Sequence, residues 1–213
     1  MGFSSLVDLI GSMVVGGLLF VILLRMNNVA TENTFTYNGE LQVQQNLVAT
    51  VKLIEADFRK IGYCANPDVV IPSRYITFAD STRISFYTDL ATFSNHSGDG
   101  IPDILTYYTG PTSELSSTPN PYDMKLYRVE NNETPKSANL GITEFKLRYF
   151  DTFGNVIPSP VADPGTIQTI EINIRVENTA AYTKEYADTS HSQQYQTAFW
   201  RQLRINNRNL TKR

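Results

Sequence analysis

The chain has 213 residues, 41% hydrophobic and 18% charged, and a formal net charge of −3. That balance excludes a basic nucleic-acid surface, because lysine and arginine gather only in the closing Arg201–Arg213 segment. The single cysteine, Cys64, excludes an intramolecular disulfide and a thiolate metal centre; its expected role is a small apolar residue under a helix end.

The first element is an apolar run, Gly2 to Arg25, in which Asp8 is the one ionisable side chain between Leu6 and Leu24. As a helix that stretch is about 28 Å long, close to the hydrocarbon thickness of a bilayer. A secretory signal would need a basic leader, a shorter apolar centre and a small-residue cleavage site, so the run is expected to stay as an anchor. About 185 residues then remain, enough for one domain with its own core.

Residues 27–39 are polar and poor in helix formers, consistent with a weak continuation of the helix, a melted stretch or a short hinge. From Glu40 to Ile61, Leu41, Val48, Val51, Ile54, Phe58 and Ile61 recur at helical spacing, with Gln42, Gln45, Lys52, Glu55 and Arg59 elsewhere. Gly62 is the expected stop, with Tyr63 packing back. Anchor and stripe together predict one helix, or nearly one, of about 55 to 60 residues.

After Asn66 the periodicity changes to two. Arg74–Leu90 reads as two strands around an Asp80-Ser81-Thr82 turn, and Asp103–Gly110 and Met124–Asn131 as two more. Gly141–Asn155 places Phe145, Leu147 and Tyr149 on one face and Lys146 and Arg148 on the other. Thr166–Asn178 sets Ile170, Ile172, Ile174 and Val176 against Glu171, Asn173, Arg175 and Glu177. Ala180–Gln196 is aperiodic and reads as a loop before a last strand, Ala198–Asn206. One-face-apolar strands predict an antiparallel sheet packed on the helix and wet on its other side. The expected class is α+β: a long amino-terminal helix, half transmembrane and half amphipathic, on an antiparallel sheet. The boundaries are 1–26 for the transmembrane half, 27–62 for hinge and amphipathic half, and 63–213 for the β-rich domain.

Four segments in this order resemble the type IV pilin superfamily, and its minor pilins and minor pseudopilins in particular. Gly2-Phe3 looks like the family's leader-cleavage junction, although only Met1 precedes it where the family carries a basic leader. Leu53–Cys64, LIEADFRKIGYC, is similar to the end of the family's long helix. ANLGITEFKLRYFDTFGN resembles its hairpin, and RQLRINNRN its closing strand. The resemblance implies a pilin-like fold and assembly through Phe3, Asp8, Ser12 and Gly16. Partners would be other pilin-like subunits, met through the amino-terminal helix after residence in the inner membrane.

Asp8 has two readings. It is either an acid near the helix start reaching for the interface or, by the resemblance, the partner of a neighbouring subunit's amino terminus. The family's acid stands four residues after the phenylalanine, where this chain has Val7. Ser12 and Gly16 form a small-xxx-small step that permits close helix approach.

Chemistry is sparse. His96 and His191 sit in polar loops without metal-ligand spacing. No phosphate loop, dinucleotide fingerprint or nucleophile elbow occurs, so no enzyme and no resident cofactor is expected. One loop spaces Asn95, Ser97, Asp99 and Asp103 around Gly100, which is half of a calcium site and also plain turn chemistry. Two functions follow: a structural subunit, minor or tip-type, of a type IV pilus or type II secretion pseudopilus, or a single-pass membrane-anchored β-domain that binds a polymer or calcium-linked partner.

Overall fold

The computed structural model describes residues 2–66, 68–69, 75–91, 98–178 and 199–206. The chain divides into two compact units, Met1–Leu41 and Gln42–Arg213. Helix α1 (Gly2–Phe58, 57 residues) supplies the first and opens the second.

In the first unit the apolar residues from Leu6 to Leu24 are 47% to 72% exposed. Among the described residues one helix is long and apolar enough to cross a membrane, by length and composition, and it is this one. The polar stretch 27–39 is helical. Thr31 and Thr34 donate their hydroxyls to the carbonyls of Asn27 and Ala30, at 2.9 and 2.8 Å. These side chains thus bond to the helix they would otherwise weaken.

In the second unit, residues 42–58 of α1 bury Val43, Leu47, Thr50, Val51, Ile54, Asp57 and Phe58. The expected stripe is right from Val51 onward and shifted before it: Leu41 and Val48 are exposed, while Val43 and Leu47 take the core positions. At about 100° per residue, Val43, Leu47, Ile54, Phe58 and Ile61 fall within one narrow arc, and Leu41 and Val48 lie well outside it. The helix stops at Phe58 and turns through Gly62, whose φ of +71° is left-handed. A Cβ there would stand 2.7 Å from the Tyr75 ring, so the position needs glycine for space as well as for φ. Tyr63 stays 38% exposed and holds the turn through its backbone, which accepts the Asp89 N–H at 2.8 Å.

The strands are β1 (Ile76–Ala79), β2 (Arg83–Thr88), β3 (Asp103–Thr109), β4 (Met124–Glu130), β5 (Lys136–Phe150), β6 (Val156–Ile157), β7 (Thr169–Val176) and β8 (Phe199–Asn206). They form one antiparallel sheet in the order β1-β2-β3-β4-β5-β7-β8, with β6 paired to β5. Each strand expected from the two-residue period is present. β5 begins five residues before the predicted start, and the two-residue β6 carries too little pattern to be read.

The core joins α1 to the inner sheet face. Phe58 lies edge-on to Phe86 at 5.4 Å between ring centres and tilted against Tyr107 at 5.6 Å. Phe145, Leu147 and Tyr149 point inward with Ile170, Ile172, Ile174 and Val176, as their alternation requires. The other face is not uniformly wet. Glu171, Asn173 and Glu177 on β7 and just beyond it are buried, because β7 lies between β5 and β8 and long side chains from both cover it. The expected α+β arrangement, long amino-terminal helix followed by antiparallel sheet, is the one observed.

Candidate functional site

The described residues of the amino-terminal unit form a regular helix. Gly2 and Phe3 open it. Asp8, Ser12 and Gly16, four residues apart, share one face. Ser12 donates its hydroxyl to the Leu9 carbonyl at 2.9 Å, leaving no unpaired hydroxyl proton at that position. A Cβ built on Gly16 meets nothing within 4 Å. The face is therefore narrow at Ser12 and Gly16 and carries a carboxyl group at Asp8, surrounded by apolar side chains.

The loop expected to carry calcium is organised by a residue the sequence did not single out. Asn95 and Ser97 lie outside the described residues. Asp99 accepts the Ile101 N–H at 2.9 Å, and Asp103 accepts the Leu90 N–H at 2.9 Å and the Asn131 amide at 2.5 Å. Buried Asp89, at the end of β2, receives the N–H groups of Ala65, Asp99 and Gly100 at 3.0, 3.0 and 2.9 Å. It ties the segment after α1 to the loop before β3. Gly98, with φ of +95°, passes so close to the Asp89 carboxylate that a Cβ would overlap it. Cys64 is half-buried beside Asp89, and burial, with some help from that charge, pushes its thiol pKa up.

Two ionic networks, each centred on a buried carboxylate, brace the sheet. Asp57, near the end of α1, receives the Tyr107 hydroxyl at 2.5 Å and the Arg128 Nε at 2.7 Å, and Arg128 also bonds Glu130. Burial, then the Asp57 charge, lifts the Tyr107 phenol far above its usual range. Glu171 is paired with Arg148 at 3.2 Å and Arg204 at 2.7 Å. Burial pushes the Glu171 carboxyl up, but hydrogen bonds from Arg204, Gln202 and Asn173 and the Arg148 charge outweigh it and hold the carboxyl below its usual range. Beside it a shallow groove of about 510 Å³ runs between β6 and the outer face of β5 and β7, with Glu144, Lys146 and Gln202 on its walls. Of its charged walls, Arg148 and Glu171 are paired with each other.

A third polar group holds a carboxylate without a hydrogen-bond partner among the described residues. Asn120, Asp123 and Glu177 are each no more than 2% exposed. Asp123 immediately precedes β4 and Glu177 immediately follows β7, so they stand at one end of the sheet with β5 between them. The Asn120 amide donates to Glu177 Oε2 at 3.2 Å and to the Asn178 carbonyl at 3.3 Å. Among the described residues, neither Asp123 oxygen has a hydrogen-bond partner. Burial, with the Glu177 charge, pushes the Asp123 carboxyl up to about 6, offset in part by the nearby Thr118 hydroxyl. That hydroxyl gives its proton to the Leu115 carbonyl at 2.8 Å. Among the described residues, no three of histidine, cysteine, aspartate and glutamate gather as a metal cluster. Sequence reasoning missed these groups because their members lie tens of residues apart.

No family model matches the chain, and no curated protein matches it. Among solved structures, a type IV-like pilin from Thermus thermophilus matches at 9% sequence identity and a TM-score of 0.47, over 79% of this chain and 98% of that one. At that identity and score the likeness identifies neither a shared activity nor a partner.

Proposed function

We propose that this chain is a pilin-type structural subunit that assembles through its amino-terminal helix. The observation that carries the reading is the contrast within α1: residues 6–24 expose every large apolar side chain, while Val43, Leu47, Val51, Ile54 and Phe58 are buried in the sheet domain's core. A helix that completes one fold and leaves an anchor's length of apolar surface uncovered is built for lipid or for other helices. The pilin-like order of elements favours both in turn: storage in the inner membrane with the sheet domain on the extracytoplasmic side, then packing among like helices in a filament. Within this reading the subunit is a minor or tip-type member of a type IV pilus or secretion pseudopilus. Gly2-Phe3 is its processing junction, and Phe3, Asp8, Ser12 and Gly16 form its packing face. The domain boundaries expected from the sequence belong to this proposal too.

Asp8 tests it. A charge in lipid is costly, so Asp8→Ala is expected to insert into membranes at least as well as the parent. If Asp8 meets a neighbour's amino terminus, the same change weakens subunit contact. Cysteine crosslinking through Ser12→Cys, in a Cys64→Ser background, reads this out: crosslinked species form when Asp8 is present and are lost in the Asp8→Ala variant. Equal crosslinking in both removes Asp8 from assembly. No crosslinking in either favours the single-pass binding module.

A further inference from the structure

We propose that the buried Asp123–Glu177 pair, at the end of the sheet formed by β4, β5 and β7, binds a divalent oxygen-seeking cation, calcium by its chemistry. The inference concerns the sheet domain and holds whether or not the chain assembles into a filament.

Two buried acids would by themselves be an ordinary structural pair. What sets this pair apart is Asp123, which is 1% exposed with neither carboxylate oxygen bonded to any donor among the described residues. A buried carboxylate without a partner is among the most costly groups a fold can hold, so something must compensate it. Among the described residues, Arg175 is turned to Glu177 and Glu144, at 3.6 and 3.7 Å, and no ion pair joins it to Asp123. A proton is the competing occupant: a neutral Asp123 would be a buried O–H donor, with the oxygen of the neighbouring Thr118 hydroxyl as its acceptor, and the test below separates the two. A lysine or arginine from another chain is too large to reach a group so enclosed. A small ion is not.

The donor set selects the ion. Asp123 offers two free carboxylate oxygens, and Glu177 a carboxylate whose Oε2 accepts the Asn120 amide at 3.2 Å. No histidine or cysteine joins the pair among the described residues. Oxygen donors on loops at strand ends suit a hard cation that tolerates irregular coordination, which favours calcium over magnesium and over zinc. Asn120 fits the same role. Its side-chain oxygen holds the Tyr122 N–H at 3.0 Å and its amide holds Glu177, so one residue fixes the turn bearing Asp123 and orients the second acid.

The test uses the full-length chain in detergent micelles, stripped with chelator and titrated with calcium. Binding is read by the melting midpoint and by terbium luminescence sensitised through Tyr122, the neighbour of Asp123. Calcium is expected to raise the midpoint and displace terbium. Asp123→Asn should weaken the apparent affinity at least about tenfold, since one ligand charge is lost, yet melt no lower than the parent in chelator. Glu177→Gln is the second variant, expected to lose the response in the same way should the first fail to fold. Asp99→Ala should keep it. A calcium response that survives Asp123→Asn and Glu177→Gln, or that disappears with Asp99→Ala alone, overturns the assignment by placing the ion elsewhere. A parent whose midpoint ignores calcium and chelator, and instead falls as pH rises through about 6, overturns it in favour of a proton on Asp123.

Discussion

Glu171 shows how much a single position depends on residues far from it in sequence. On β7 it alternates with isoleucines and reads as solvated, yet it is 1% exposed between an arginine of β5 and another of β8. The pairing has a pH signature. A carboxyl held below its unfolded value stabilises the fold above the ordinary glutamate range, and that contribution is lost as pH falls through the depressed folded value. Glu171→Gln should therefore cost about 1–2 kcal/mol at neutral pH, between the ranges for an exposed pair and a broken buried one, because both arginines are half exposed and screened. Urea melts of parent and variant should converge in acid. A gap that stays constant from neutral pH down to the acid side of the glutamate range would deny the ion pairs any role. Gly98 illustrates the same dependence: its neighbours in sequence suggest a turn, whereas the tightest constraint on it is the Asp89 carboxylate.

At the scale of elements, α1 is one continuous helix with two environments. Its second segment is defined by the arc through Val43, Leu47, Val51, Ile54 and Phe58, and Phe58 packs on two further aromatic rings. Phe58→Ala should destabilise the sheet domain by about 3–5 kcal/mol, through lost burial and the cavity left behind. Val48→Ala and Lys52→Ala, on the exposed side, should each change stability by under about 0.5 kcal/mol. Denaturation midpoints that rank Val48 with Phe58 would restore the stripe expected from the sequence and contradict the one observed. The shift between the two has a simple origin. Val48 stands a full heptad after Leu41 and reads as its partner, while Val43 and Leu47 sit among glutamines and asparagine that mask their periodicity.

For the whole molecule, the two units differ in what completes them. The sheet domain draws its core from residues 43 onward, with the last turns of α1 covering the inner sheet face. Deleting residues 1–25 should therefore leave a soluble, monomeric, cooperatively melting β-rich protein. Circular dichroism and size-exclusion chromatography check it. A non-cooperative melt or persistent aggregation would show that the apolar helix belongs to the fold rather than to assembly. The exposed apolar surface of residues 6–24 should likewise make the full chain depend on lipid, detergent or other helices to stay dispersed, which the same chromatography on the parent chain with and without detergent checks.

The sequence by itself determined the long helix, its division into an apolar half and an amphipathic half, the stop at Gly62 and all strands longer than two residues. Those features rest on local periodicity and on one glycine's freedom in φ, which are properties of neighbours in the chain. The tertiary structure alone decided which helical arc meets the sheet, why β7 is enclosed on both faces, and where the charged groups find or lack partners. Asp57 meets Arg128 seventy-one residues away, and Asn120 meets Glu177 across fifty-seven. Asp89 is the hub of a loop the sequence assigned to other oxygens, and neither Asp123 oxygen has a hydrogen-bond partner among the described residues. Burial and long-range electrostatics depend on what the sheet order brings together, and no spacing along the chain carries that information.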